Sequence, residues 1–194
     1  MTIEADTDIR SYFRARLAVA RGRLGLEVPT EVEFYLVDLL ARQAEAPADA
    51  LLGVALVERL GAALEVEEPA ERLRRFRDTG DCALYVSGFF RLHFESRGIS
   101  RSYVRQMGGR AYRGAADAAR IRCSPHAEVF PELAEGFEGY SGLLDEIREE
   151  TALRTPQDIV RLYDQYRRTR SPSLAARLHA AGVFPQLPGS GRLH

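Results

Sequence analysis

The chain contains no lysine, asparagine or tryptophan, so each of its 27 basic residues is an arginine. A bias this complete reads as a property of the coding composition, and arginine identity by itself carries no functional weight. Cysteine is nearly absent too. Cys82 and Cys123 could form one bridge at most, which is no framework for 194 residues, so two thiols are expected. Long apolar runs are also missing: Ala50 to Val57 and Cys82 to Phe90 fall well short of the ~20 residues that cross a bilayer. The stretch Met1 to Asp6 has neither the basic start nor the apolar core of a signal peptide, so a cytoplasmic protein without a membrane span is expected. The net charge of -1 provides no long-range field toward nucleic acid or anionic lipid.

What is present is helical periodicity. No segment alternates at period two for long enough to read as a strand, and no repeat of fixed length occurs. Ile9, Tyr12, Phe13, Leu17, Ala20 and Leu24 mark a first helix, capped by Asp6 or Thr7 and closed by Gly22 and Gly25. Pro29 to Glu33 reads as a capping box opening a second, mostly buried helix through Phe34, Val37, Leu40 and Ala41. A third helix from Asp49 to Leu64 is apolar over most of its circumference, and a short fourth runs from Pro69 to Asp78. Later helices start near Phe130-Pro131, with one helix continuing to about Thr151 by its apolar phase, a break near Ser141 being the alternative that Gly136, Gly139 and Gly142 offer, and at Thr155-Pro156 and Ser171-Pro172. The class is all-α: a single-domain bundle of eight to ten helices over 1–184, with a flexible tail at 185–194.

The chain is organised around residues 80–120. Asp78 or Thr79 is read as capping a helix through Cys82, Val86, Phe89 and Phe90, with Ser87, Arg91 and Glu95 as its polar stripe. After the link at 96–99, Ser100 caps a second helix that buries Val104, Met107, Ala111, Ala115 and Ala118. As an antiparallel hairpin, these helices would bring Gly88 level with Gly108-Gly109, which predicts a close crossing there. The runs Gly80 to Phe90, Tyr103 to Tyr112 and Phe34 to Leu40 resemble an uncharacterised family of bacterial all-helical proteins of about this size. That resemblance implies a soluble helical protein and supplies neither an activity nor a site.

Motifs with specific chemistry are missing. No Glu-x-x-His pair offers di-iron ligands, and no Gly-x-Ser-x-Gly or phosphate-cradling glycine loop occurs. Cys123-Ser124-Pro125-His126 has the gap of a half zinc site, but ordinary thiols are the stronger reading, so neither metal nor cofactor is expected. Asp81 reads as a cap for free helix amides, with a base in a pocket as the alternative. His93, on the apolar face of the central helix, reads as a hydrogen-bonded core histidine. Charge alternates along the chain: eleven acids face two arginines over 27–71, eight arginines face two acids over 91–122, and eight acids face one arginine over 128–150. Basic and acidic helices that neutralise one another explain this pattern. Were a ligand patch present, Arg97, Arg101 and Arg105 with Tyr112 would form it, the last three along one helix edge.

Three functions are therefore weighed. The first is an interaction or regulatory protein acting through a protein partner or self-association. The second is a bundle that holds a small anionic or aromatic ligand between the central helices, with Asp81, His93 and Arg105 able to serve an enzyme. Nucleic-acid binding through the arginine-rich helices comes third, disfavoured by the near-zero net charge.

Overall fold

The computed structural model describes residues 3–45, 55–90, 98–124, 127–150, 156–180 and 183, and within them it holds nine α-helices and no strand. In chain order these are α1 (Ile3–Leu24), α2 (Thr30–Glu45), α3 (Leu56–Leu64), α4 (Pro69–Phe89), α5 (Arg101–Ile121), α6 (Val129–Glu135), α7 (Phe137–Glu150), α8 (Pro156–Thr169) and α9 (Pro172–Ala180). The expected all-α bundle is what forms, and none of the described helices is long and apolar enough to cross a membrane.

The central hairpin is α4 against α5, the most extensive contact among the described helices. Around it, α7 packs on α4, α6 on α5, and α1 on both α2 and α7, while α8 joins α2 to α9. The core includes Phe13, Leu17, Leu36, Leu40, Leu84, Leu144 and Ile147, all essentially without exposed surface. Each such side chain contributes about 1.5–3 kcal/mol relative to leaving it in water.

Several helix boundaries differ from those read in the sequence. The predicted break at Asp78 does not occur: α4 runs unbroken from Pro69, with Glu68 as its N-cap accepting from the amides of Ala70 and Glu71. Thr79 does not cap a new helix because its hydroxyl donates to the carbonyl of Arg75, one turn back, at 2.8 Å. α1 begins at Ile3, which places Asp6 and Thr7 inside the helix. At α2 the carbonyl of Pro29 accepts from the Glu33 amide at 2.9 Å, and the Glu33 carboxylate is taken by Arg21, so no capping box forms. Phe34 faces outward, 57% exposed, while Leu36, Leu39 and Leu40 carry the burial. Ala55 is extended, so the helix expected over Asp49 to Leu64 is interrupted there and α3 starts at Leu56, while the expected start at Asp49 lies outside the described residues. Within α3 only Leu56 and Ala63 are buried, with Val57 and Leu64 largely exposed. The helix expected to run through to Thr151 is divided at Gly136, where an added Cβ would meet the Tyr140 ring at 2.5 Å.

The glycine crossing is also corrected. Gly88 lies against Leu144 of α7, not against Gly108, while Gly108 makes room for the Phe137 ring and Ala83. Gly80 and Tyr112 provide the close approach of the hairpin itself, since a Cβ at Gly80 would sit 2.7 Å from that ring. Ser100 caps α5 as expected, accepting from the Tyr103 amide at 3.2 Å. The tail at 185–194 and residues Arg91 and Glu95 lie outside the described residues.

Neighbouring helices do neutralise one another. Arg10 pairs with Asp38, Arg21 with Glu33, Arg23 with Glu146 and Arg105 with Glu138, each linking a basic segment to an acidic one. All are partly exposed, so each contributes at most about 1 kcal/mol.

Candidate functional site

Asp81 stands near the middle of α4, in its buried stretch, and is 1% exposed. A carboxylate there would be prohibitively destabilising without partners. Three elements supply them. Tyr35 of α2 donates its hydroxyl to Asp81 Oδ1 at 2.6 Å, and Tyr112 of α5 donates to the same oxygen at 3.0 Å. Arg42, two turns beyond Tyr35 on α2, brings Nη1 to 3.1 Å from Asp81 Oδ2. That contact is ionic and off the hydrogen-bond line, which leaves Oδ2 without a hydrogen bond. Arg42 also donates from Nε to Asp38 at 2.8 Å, and Asp38 accepts from Arg10 at 2.6 Å. The result is one chain of alternating charge running from the surface to the core.

Burial, reinforced by the neighbouring Asp81 carboxylate, holds both phenols well above their ordinary pKa. The Asp81 carboxyl is itself pushed up by burial, against Arg42 and the two phenol donors. Burial acts to lower the Arg42 pKa, but Asp81, Tyr35 and Asp38 outweigh it and raise the value. Tyr35 and Tyr112 are thereby held as hydroxyl donors and Arg42 as a cation, all directed at Asp81.

Tyr35 and Arg42 also line a cavity of about 830 Å³ between α2, α4 and α6, and Asp81 lies behind them. Apolar and aromatic groups dominate its walls: Val32, Phe34, Leu73, Val129 and Phe130. The rings interlock, with Tyr35 edge-on to Phe130 at 5.9 Å and Phe130 stacked over Tyr112 at 6.4 Å. This volume falls within the range of small-molecule sites, as does the combination of apolar walls with a few convergent polar groups.

A second cavity of about 560 Å³ opens at the loop end of the hairpin, between Ser87, Val104 and Phe137, with Arg101 and Arg105 at its edge. The sequence-derived candidates are thus divided. Asp81 and Tyr112 meet in the core, whereas Arg101 and Arg105 stand at the second cavity, where Arg105 donates to Glu138 at 2.7 Å. Arg105 and Tyr112 share an edge of α5, but Arg105 is exposed while Tyr112 is buried, with Phe137 packed on it at 6.3 Å. His93 and Arg97 lie outside the described residues. Asp81 caps no amides, because α4 begins twelve residues earlier.

Sequence reasoning missed Tyr35 and Arg42. The available signal was their seven-residue spacing, which puts both on one face of α2, together with a lone acid beside an apolar run. Cys82 is buried, and burial pushes its thiol pKa up, which makes it a poor nucleophile; Cys123 is exposed, with no disulfide between them. Among the described residues no group of three His, Cys, Asp or Glu could hold a metal ion. Compared with known proteins, the chain matches no family model, no curated protein and no solved structure.

Proposed function

We propose that the protein is a binding module that takes a small ligand with an aromatic or apolar body into the α2–α4–α6 cavity. The observation that carries this reading is the cavity itself, about 830 Å³ with aromatic walls and a preorganised polar edge made by Tyr35 and Arg42. Locked groups of this kind orient a ligand without reorganising, which reduces the entropic cost of binding. They favour recognition over catalysis, since Asp81 is already engaged by two phenols and a guanidinium.

Fluorescence titration with the neutral aromatic dye N-phenyl-1-naphthylamine tests the proposal. One saturable site is expected, weakened severalfold by Phe34→Ala, which removes an exposed wall without disturbing the core. A linear, unsaturable signal would remove the reading.

A second reading, a protein-interaction or regulatory module, is favoured by the outer face of α3. Val57 and Leu64, seven residues apart and each more than half exposed, form an apolar stripe there. Light scattering on wild type and Val57→Ser/Leu64→Ser tests self-association through this face. A mass that stays monomeric at all concentrations in both proteins would remove that form of the reading.

A further inference from the structure

The two cavities differ in how their charges are balanced. At the hairpin cavity each acid of the wall has a basic partner: Glu138 with Arg105, Glu146 with Arg23, and Asp145 and Glu149 with Arg148. At the α2–α4–α6 cavity the position is reversed. Its two cations are committed, Arg42 to Asp38 and Asp81, and Arg77 to Asp78. Of its acids, Glu31, Glu128 and Glu132 are exposed and form no ion pair among the described residues.

Helix ends offset part of this charge. Glu31 lies in the first turn of α2, and Glu128 and Glu132 lie at the start of α6, so both helix N-termini face the same space. Each terminus carries a partial charge of about +0.5, so the two together offset about one of three carboxylates. Arg14, whose guanidinium sits 5.1 Å from the centre of the Phe34 ring, stands outside the wall and offsets at most one more carboxylate. The wall therefore keeps an excess of negative charge.

The apolar part of the wall fits the same sign. Aromatic faces attract cations through their quadrupole, most strongly where water is excluded. Tyr35 and Phe130 line this space with Phe34, and the Phe34 ring already holds Arg14 over it, which leaves the first two rings for a ligand.

We propose that the ligand of this cavity is an organic cation, an amine or quaternary ammonium carried on an aromatic or apolar body. This rests on the ligand-binding reading above and sets the charge that the reading leaves open. At this cavity an anion is disfavoured, because Arg42 and Arg77 are already occupied by carboxylates; the anionic ligand considered from the sequence concerns a different place, at Arg101 and Arg105.

Three probes of one shape decide it: benzyltrimethylammonium, benzyl alcohol and benzenesulfonate, each displacing bound N-phenyl-1-naphthylamine. The cation is expected to compete about tenfold better than the alcohol, and the sulfonate worse than either, with the preference shrinking as salt is added. The triple variant Glu31→Gln/Glu128→Gln/Glu132→Gln should erase the preference while the dye and the alcohol bind as before. Should the triple variant melt early, Glu31→Gln alone should still reduce the preference measurably. Equal or better competition by the sulfonate, or a preference that survives the triple variant, overturns the assignment of charge. Absence of saturable dye binding is the separate result that removes the ligand-binding reading, and this proposal with it.

Discussion

Tyr35 and Asp81, 46 residues apart in sequence, are joined by a 2.6 Å hydrogen bond that fastens α2 to the central hairpin. The α2–α4 contact is slight beside that of α4 with α5. At this seam a polar lattice therefore provides attachment that apolar packing supplies elsewhere. Asp81→Asn keeps the shape and the acceptor for both phenols but turns a donor toward Arg42, and a loss of about 1–3 kcal/mol is expected in urea unfolding, as for a buried polar group left unsatisfied. Tyr35→Phe should lose about 1.5–3 kcal/mol, as for a hydrogen bond to a charged group. Because Tyr112 donates to the same oxygen, Tyr35→Phe and Tyr112→Phe should be non-additive in a double-mutant cycle. Strict additivity would mean that the two phenols do not act through Asp81.

The two aspartates on Arg42 should have opposite effects on the pH dependence of stability. Burial alone would raise the Asp38 pKa, but the Arg10 hydrogen bond and the Arg42 charge outweigh it, and the pKa falls below its ordinary 3.8. Asp38 therefore contributes stability that is fully present above about pH 4 and is lost as pH falls through the lowered value. Asp81, raised by burial, binds its proton more readily folded than unfolded, so its contribution declines as pH rises through the folded pKa. Asp38→Asn should lower stability at neutral pH and flatten the acid limb of the stability profile below about pH 4. An acid limb parallel to that of the wild type would show that Asp38 has no such linkage.

Legibility in the sequence followed the range of the interaction. Local periodicity located the inward faces of α1, α5 and α8, because Val104, Met107 and Ala111 sit where a 3.6-residue repeat puts them. It failed at Asp78–Asp81, where Asp78, Thr79 and Asp81 suggested a helix start. The deciding facts were tertiary: the Thr79 hydroxyl bonds back to Arg75, and Gly80 is held against the Tyr112 ring. Once α4 was divided there, Asp81 looked like a cap, and its need for distant partners was hidden. Tyr35 and Arg42 could not be tied to it without knowing that α2 crosses the hairpin at that height. The glycines were legible as sites of close approach, but which surfaces approach depends on the placement of α7.

That placement gives two glycine substitutions opposite signs. A Cβ on Gly88 would sit 2.5 Å from Leu144 Cβ and 3.3 Å from the Asp145 backbone nitrogen, so α4 and α7 would have to separate. Gly88→Ala is expected to cost about 1–3 kcal/mol, as overpacking does. Gly61, inside α3, has open space where its Cβ would stand. Gly61→Ala should gain about 0.5–1 kcal/mol from helix propensity alone. Thermal melts of both variants check the pair, and a stabilised Gly88→Ala would contradict the close approach of α4 to α7.

The C-terminus of α5 holds a residue in a conformation that suits glycine better. Cys123 has φ of 49°, the left-handed region, while the Ser124 amide donates to Ala119 at 3.0 Å and the Cys123 amide to Arg120 at 3.0 Å. α1 ends the same way with the residue type that fits: Gly25 has φ of 60°, and the Leu26 amide reaches Arg21 at 3.0 Å. A left-handed backbone costs a residue with a side chain about 1–2 kcal/mol, and at this cap position glycine avoids that strain. Cys123 is exposed, so its removal gives up little packing. Cys123→Gly should therefore stabilise the protein by about 1 kcal/mol, a rise of roughly 2–4 °C in Tm for a chain of this size. Cys123→Ser, which retains a Cβ and hence the strain, should leave Tm nearly unchanged, and Gly25→Ala should lower it by a similar amount. If the serine variant rose as far as the glycine one, the gain would come from loss of the thiol, and the backbone at 123 would not be the source of strain.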